Sequence, residues 1–192
     1  RLLYFEWRRL FGQVVGVPSE NLNEHLQTLG AAHGCRYEDD PAAYLFALNT
    51  YIALVAKLVA ALALPDAAED ITDPSSPLDE RIKQLESGAL FLDAGIANML
   101  SGDFFSWYAD DDEWQTFAGP ISDMVGILKQ VSFDVTRKSA ESTRDLFKGL
   151  YMTFAPRALR HALGEFYTPD WLAAHALDQI GWTPDQSALD PT

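Results

Sequence analysis

Cysteine is almost missing from this 192-residue chain, where Cys35 stands alone. One thiol excludes an internal disulfide framework and fits a reducing compartment. Basic residues are scarce as well. Fourteen Lys and Arg face 28 Asp and Glu, a net charge of −14, which argues against this piece being the main clamp on DNA. The shortage is uneven: residues 65–130 carry 3 basic against 14 acidic side chains, and residues 137–160 carry 6 against 2. The acidic middle is expected to face solvent or a basic partner. The basic stretch reads first as a solvated helix face and second as a place where nucleic acid approaches. None of the five lysines, at 57, 83, 129, 138 and 148, has Asp or Glu two residues earlier. That excludes the carboxylate-then-lysine pattern by which a nuclease holds metal and water. His33 and Cys35 are too few for a metal site. The remaining histidines, His25, His161 and His175, have no motif around them, so no Ser-His-Asp arrangement is supported. His161, beside Arg160, reads as a surface or phosphate-facing residue, and His175 as a packed one.

Large apolar residues are not lacking. The hydrophobic fraction is 48% and the aromatic fraction 12%, enough for a sizeable core in one or two domains. The longest apolar stretch is 41–64. Asp40 is placed to cap it, Pro41 to start it, and Pro65 follows its end. Its length would span a bilayer. Asn49, Thr50 and Lys57 interrupt it, however, and its flanks are acidic rather than basic: Glu38, Asp39 and Asp40 before, Asp66, Glu69 and Asp70 after. The stretch therefore reads as the central helix of a bundle, not as a membrane span. Lys57 is expected to pack its stem in the core and to reach a carboxylate or the surface with its amine.

Other segments follow the same logic. Residues 2–15 give an amphipathic helix with Arg8 and Arg9 on the polar side, broken at Gly16–Pro18. Ser19 or Asn21 caps a second helix through about Ala32, and His33 to Cys35 form a turn. Residues 65–77, rich in Pro, Ser and Asp, read as a loop. Ser76 and Pro77 start a helix through about Leu85, and Phe91 to Leu100 give another helical segment. Phe104, Phe105, Trp107, Tyr108 and Trp114 are too many aromatics for a free loop and are expected to anchor it, with Asp110 to Glu113 left in water. Gly119-Pro120 reads as punctuation before a helix carrying Ile121, Val125, Leu128 and Val131. Thr136 or Ser139 starts a further helix bearing Leu146, Leu150 and Tyr151, which Pro156 ends.

The C-terminal stretch is the most informative. Thr168 is placed to cap a helix whose first residue is Pro169 and whose first turn holds Asp170. Trp171, Leu172, Ala176 and Ile180 recur at helical spacing, and Gly181 closes the helix. Pro184 and Asp185 turn the chain, and Ala188-Leu189 begins a short apolar strand that ends at Asp190. A carboxylate at the C-terminal end of such a strand is where open α/β sheets bind ligands.

Gly164, Glu165, Phe166, Tyr167, Thr168 and Pro169, followed about twenty residues later by Asp190-Pro191, resemble the start of the catalytic domain in DNA adenine-N6 methyltransferases of restriction-modification type. The pieces TYIALVAKLVA, GDFFSWY, RDLFKGLY and RHALGEFYTPDWLA look like the helical N-terminal region of the same family. The likeness covers most of the chain, but its functional motifs occupy only residues 164–169 and 190–191. The resemblance implies a mainly α fold: a helical bundle-like domain over 1–155, then over 156–192 the first helix and strand of a Rossmann-like methyltransferase domain, truncated. It implies S-adenosylmethionine as cofactor. Tyr167, Thr168 and Pro169 would line its pocket, Thr168 and the helix N-terminus would face the methionine carboxylate, and Asp190 would lie near the amino group. The catalytic Asn-Pro-Pro-Tyr-type motif that holds a flipped adenine is absent from these residues. Beginning at Arg1, the chain reads as a cytoplasmic fragment of a phage-defence enzyme, with little activity of its own. Its implied partners are DNA and a specificity or other restriction-system subunit. The alternative is a helical interaction module that docks such a subunit and binds no cofactor.

Overall fold

The computed structural model describes residues 2–15, 22–93, 95–97, 104–131, 146–166, 168–183 and 185–187. Among them every regular element is helical. The expected strand at Ala188-Leu189, the caps at Ser19 or Asn21, the break at Gly16–Pro18 and the helix start at Thr136 or Ser139 lie outside the described residues.

The organising element is α3, Pro41–Ala63. Asp39 turns the chain just before it, with a left-handed φ of 56° that Asp tolerates better than most residues. Asp40 then caps the helix, its carboxylate accepting the Ala43 N–H at 3.1 Å, and Pro41 occupies the first helical position. Leu45, Phe46, Leu54, Val55, Leu58 and Val59 along it are all buried inside the protein. This is the signature of a core helix and accounts for its having so little polar face.

Two hydrophobic clusters share α3. Its N-terminal half, with Leu45 and Phe46, packs with Trp7 of α1 (Leu2–Val15), with Leu22, Leu26 and Leu29 of α2 (Leu22–Ala32), and with Leu159 of a short helix near the far end of the chain. Its C-terminal half, with Leu54 and Leu58, packs with the elements next in the chain. These are α4 (Pro65–Thr72), α5 (Leu78–Ser87), α6 (Ala89–Asp93), a 3-10 turn at Trp107–Ala109 and α7 (Asp111–Leu128).

The structure corrects several expectations. Residues 65–72 are helix, not loop. Pro65 starts α4 rather than breaking the chain, and Ala67 and Ile71, one turn apart, are both fully buried. The loop is confined to residues 73–77, where Asp73 accepts the Ser75 N–H at 2.8 Å and the Ser75 hydroxyl at 2.7 Å. Those bonds hold the Asp73 carboxyl below the usual range. The helix expected over Phe91–Leu100 covers only Ala89–Asp93 in the described part, because the chain turns out at Gly95, with the Ile96 N–H donating to the Phe91 carbonyl.

Gly119-Pro120 does not punctuate the chain either, since α7 runs through it. An interior proline costs a helix about 3 kcal/mol. Here Ile121 and Val125, both buried, and Trp114 and Phe117 beside them anchor the helix on either side of the proline, and burial of such side chains is worth about 1.5–3 kcal/mol each. Val131 lies past the helix end and is exposed. The aromatic run is anchored as expected: Tyr108 is buried, Phe104, Phe105 and Trp107 pack against the clusters, and Asp110 and Glu113 are exposed.

Lys57 reaches a carboxylate inside the fold. Its Nζ lies 2.5 Å from Glu86 Oε2 of α5, and the two side chains are 5% and 6% exposed. Tyr108 donates its hydroxyl to the other oxygen of Glu86. Earlier on α3, the buried Thr50 hydroxyl donates to the Phe46 carbonyl and accepts the Trp107 indole N–H at 3.0 Å. Both of these polar interruptions of α3 are thus satisfied by bonds made within the fold.

Candidate functional site

The motif-bearing stretch lies on a scaffold of two short helices, α8 (Leu146–Phe154) and α9 (Arg157–Ala162). Arg160, 7% exposed, ties them together by donating its Nε to the Ala155 carbonyl at 3.0 Å. Leu159, 2% exposed, seats α9 on the cluster of α1, α2 and the N-terminal half of α3.

Gly164 ends α9. Its φ is +76°, its N–H donates to His161, and the Glu165 N–H donates to Arg160 at 2.8 Å. This pair of bonds is a Schellman close, which needs a left-handed residue at that position. A Cβ on Gly164 would meet nothing within 4 Å, so the cost of Gly164→Ala is backbone strain alone. We expect about 1–2 kcal/mol of lost stability, read by urea unfolding. An unchanged midpoint would mean that the motif's glycine does not set this turn.

Two side-chain clasps then hold the motif to α8. The Tyr151 hydroxyl donates to Glu165 Oε2, and Lys148 Nζ lies 3.2 Å from Asp170 Oδ1. Sequence reasoning missed both, because neither pair shares a helix or a recognisable spacing. Phe166 is 70% exposed, with its ring 4.9 Å from that of His161. His161 is itself exposed and accepts the Arg157 Nε–H at 3.3 Å, in keeping with a surface role.

Of the residues expected to bind cofactor, Thr168 and Pro169 are described, and both are exposed at the N-terminal end of α10 (Asp170–Gln179). Tyr167 and Asp190 lie outside the described residues. The cap is displaced by one position. Pro169, with ψ 142°, is the capping residue, and its ring makes no cap hydrogen bond. Thr168 thereby stands one residue before the cap, because Pro169 itself keeps an extended backbone and the helix turns only after its ring. Asp170 is the first-turn acid as expected. Gly181 closes α10 with a φ of +67° and the same pair of bonds as Gly164, from Gly181 to Asp178 and from Trp182 to Leu177.

The face expected to be apolar is apolar but uncovered. No residue of α10 is buried, with Trp171 70% and Ile180 75% exposed, and His175 is exposed rather than packed. Beyond the helix two bonds join Trp182 and Thr183 to Gln186, while Pro184, expected to turn the chain, lies outside the described residues. The Trp182 indole donates to the Gln186 carbonyl at 3.2 Å, and the Gln186 side chain accepts the Thr183 N–H at 3.1 Å. A bond from the Thr183 hydroxyl, and next its own N–H, holds the exposed Asp185 carboxyl below the usual range. Among the described residues no group of three His, Cys, Asp or Glu converges for a metal ion.

Comparison with protein-family models, with curated proteins and with solved structures finds no match to this chain.

Proposed function

We propose that this chain is the helical N-terminal region, and the first part of the catalytic domain, of a cytoplasmic S-adenosylmethionine-dependent DNA adenine-N6 methyltransferase of restriction-modification type. The observation that carries the reading is the ordered pair of motifs, Gly164 to Pro169 and then Asp190-Pro191. Two features of the surface support it. The motif loop is clamped to α8 and α9 yet keeps Phe166, Thr168 and Pro169 exposed. The helix it leads into carries exposed Trp171, Leu172 and Ile180, the face a Rossmann-like sheet would cover.

The residues present suit an anionic end of a cofactor. A helix N-terminus attracts a carboxylate, and Thr168 stands exposed just before it. When bound, the cofactor supplies an electrophilic methyl group on a sulfonium. Thr168, Tyr167 and Pro169 would orient its methionine end, and Asp190 would accept a hydrogen bond from its amino group. A flipped adenine would be held by residues outside this chain.

Equilibrium binding of radiolabelled S-adenosylmethionine to the full-length protein tests the reading. Thr168→Ala and Asp190→Ala are each expected to weaken binding about tenfold or more, roughly 1.4 kcal/mol. Absence of binding to the intact protein would leave the interaction module, docking a specificity subunit through the exposed face of α10, as the better account.

A further inference from the structure

A cavity of about 470 Å³ opens between the turn after α2, the N-terminal half of α3 and the end of α8. It lies apart from the motif loop, and nothing in the methyl-transfer reading uses it. We propose that it is a binding site for a small, uncharged, planar aromatic molecule.

The size suits a ligand of two or three fused or linked rings, since pockets for small molecules run from about 300 to 1,000 Å³. The walls are Tyr44, Ala47, Leu48, Tyr51 and Phe154. Three of these are rings, and they stand in fixed relation to their neighbours. Tyr51 and Phe154 meet edge to face at 5.0 Å and 89°. Tyr44 meets Tyr37 edge to face at 5.6 Å, and the Tyr37 hydroxyl donates to Asn23 Oδ1 at 2.5 Å. Such a set offers faces and edges to a flat π system at little cost in ordering.

Charge argues for a neutral guest. The mouth carries His33, Cys35 and Arg36. Arg36 faces Glu38 at 3.9 Å, with both side chains exposed, and Asp39 and Asp40 follow. A cation at the mouth meets Arg36, and an anion meets a guanidinium already shared with Glu38. Either would lose hydration against apolar walls without a matching partner. An uncharged ring with one or two acceptor atoms loses little and gains the guanidinium as a donor.

A pair of fluorescent probes with one ring skeleton tests both parts. N-phenyl-1-naphthylamine is neutral, and 8-anilinonaphthalene-1-sulfonate adds a sulfonate. The neutral probe is expected to bind one per chain, about tenfold or more tighter than the sulfonate, and to slow alkylation of Cys35 by iodoacetamide, because the exposed thiol stands at the mouth. Ala47→Trp fills the space from α3, and should abolish both the signal and the protection with helical circular dichroism unchanged. Trp171→Ala, on the exposed face of α10, should leave both unchanged. If Ala47→Trp does not fold, Tyr51→Ala removes one wall and is expected to weaken the neutral probe about tenfold. Binding that survives whichever of these variants folds, equal affinity for the sulfonate, or no protection of Cys35 would each overturn the assignment.

Discussion

Lys57→Met is expected to lower the unfolding free energy by about 3–5 kcal/mol, the usual cost of removing one partner from a buried ion pair. For a chain of this length that corresponds to a fall in Tm of roughly 6–20 °C. The reason lies in the charge that the substitution strands. Glu86 has a side chain only 6% exposed, and it would lose its cationic partner while the Tyr108 hydroxyl still donates to it. The attraction between Lys57 and Glu86 is not itself the source of so large a number, because bringing both charges out of water offsets most of it. Removing the stranded partners as well separates the two effects. Lys57→Met with Glu86→Leu and Tyr108→Phe removes the charges and the hydroxyl that serves them, and should recover most or all of the loss. Urea unfolding of the natural chain, the single variant and the triple variant measures it. A loss below about 1 kcal/mol in Lys57→Met would mean that water reaches the pair and that it behaves as a surface salt bridge.

The same cluster shows how far the sequence could be read. That Lys57 would find a carboxylate was legible, since an ammonium in a long apolar run has few alternatives. That the carboxylate would be Glu86 was not, because the pairing is set by how α5 packs on α3. Helices announced by periodicity and caps were found where expected: α1, α2 and α3, with Asp40 and Pro41 at the start of the last. Two of the failures came where proline was taken as a stop. Pro65 starts α4, and Pro120 sits inside α7. In both places buried neighbours, Ala67 and Ile71 in the first and Ile121 and Val125 in the second, outweigh the local signal. The motif stretch was legible in Gly181 and in Asp170, but not in its cap, because Pro169 kept the extended backbone that Thr168 was expected to have. Nor could spacing reveal the clasps from Tyr151 to Glu165 and from Lys148 to Asp170, which join residues 14 and 22 positions apart.

Phe91→Ala and Trp171→Ala, each removing an aromatic ring, are expected to differ widely in this chain. Phe91 sits in five-residue α6 and is 0% exposed, among Leu90, Ile82 and Leu85 of its cluster. Its truncation removes buried apolar area and leaves a cavity that rigid neighbours fill only in part, a loss of about 3–5 kcal/mol. Trp171 is 70% exposed on a helix with no buried residue, so its truncation should change stability by no more than about 0.5 kcal/mol. Urea unfolding of the two variants checks this, and a small effect at Phe91 would mean that α6 is not part of the cooperative core. The contrast also bears on the proposed methyltransferase function. If a Rossmann-like sheet covers α10 in the full-length protein, Trp171→Ala there should cost several times its cost in this chain, since large side chains gain about 1.5–3 kcal/mol on full burial. Equal and negligible costs in both settings would leave the face of α10 without a partner sheet and weaken the methyltransferase reading independently of any cofactor measurement.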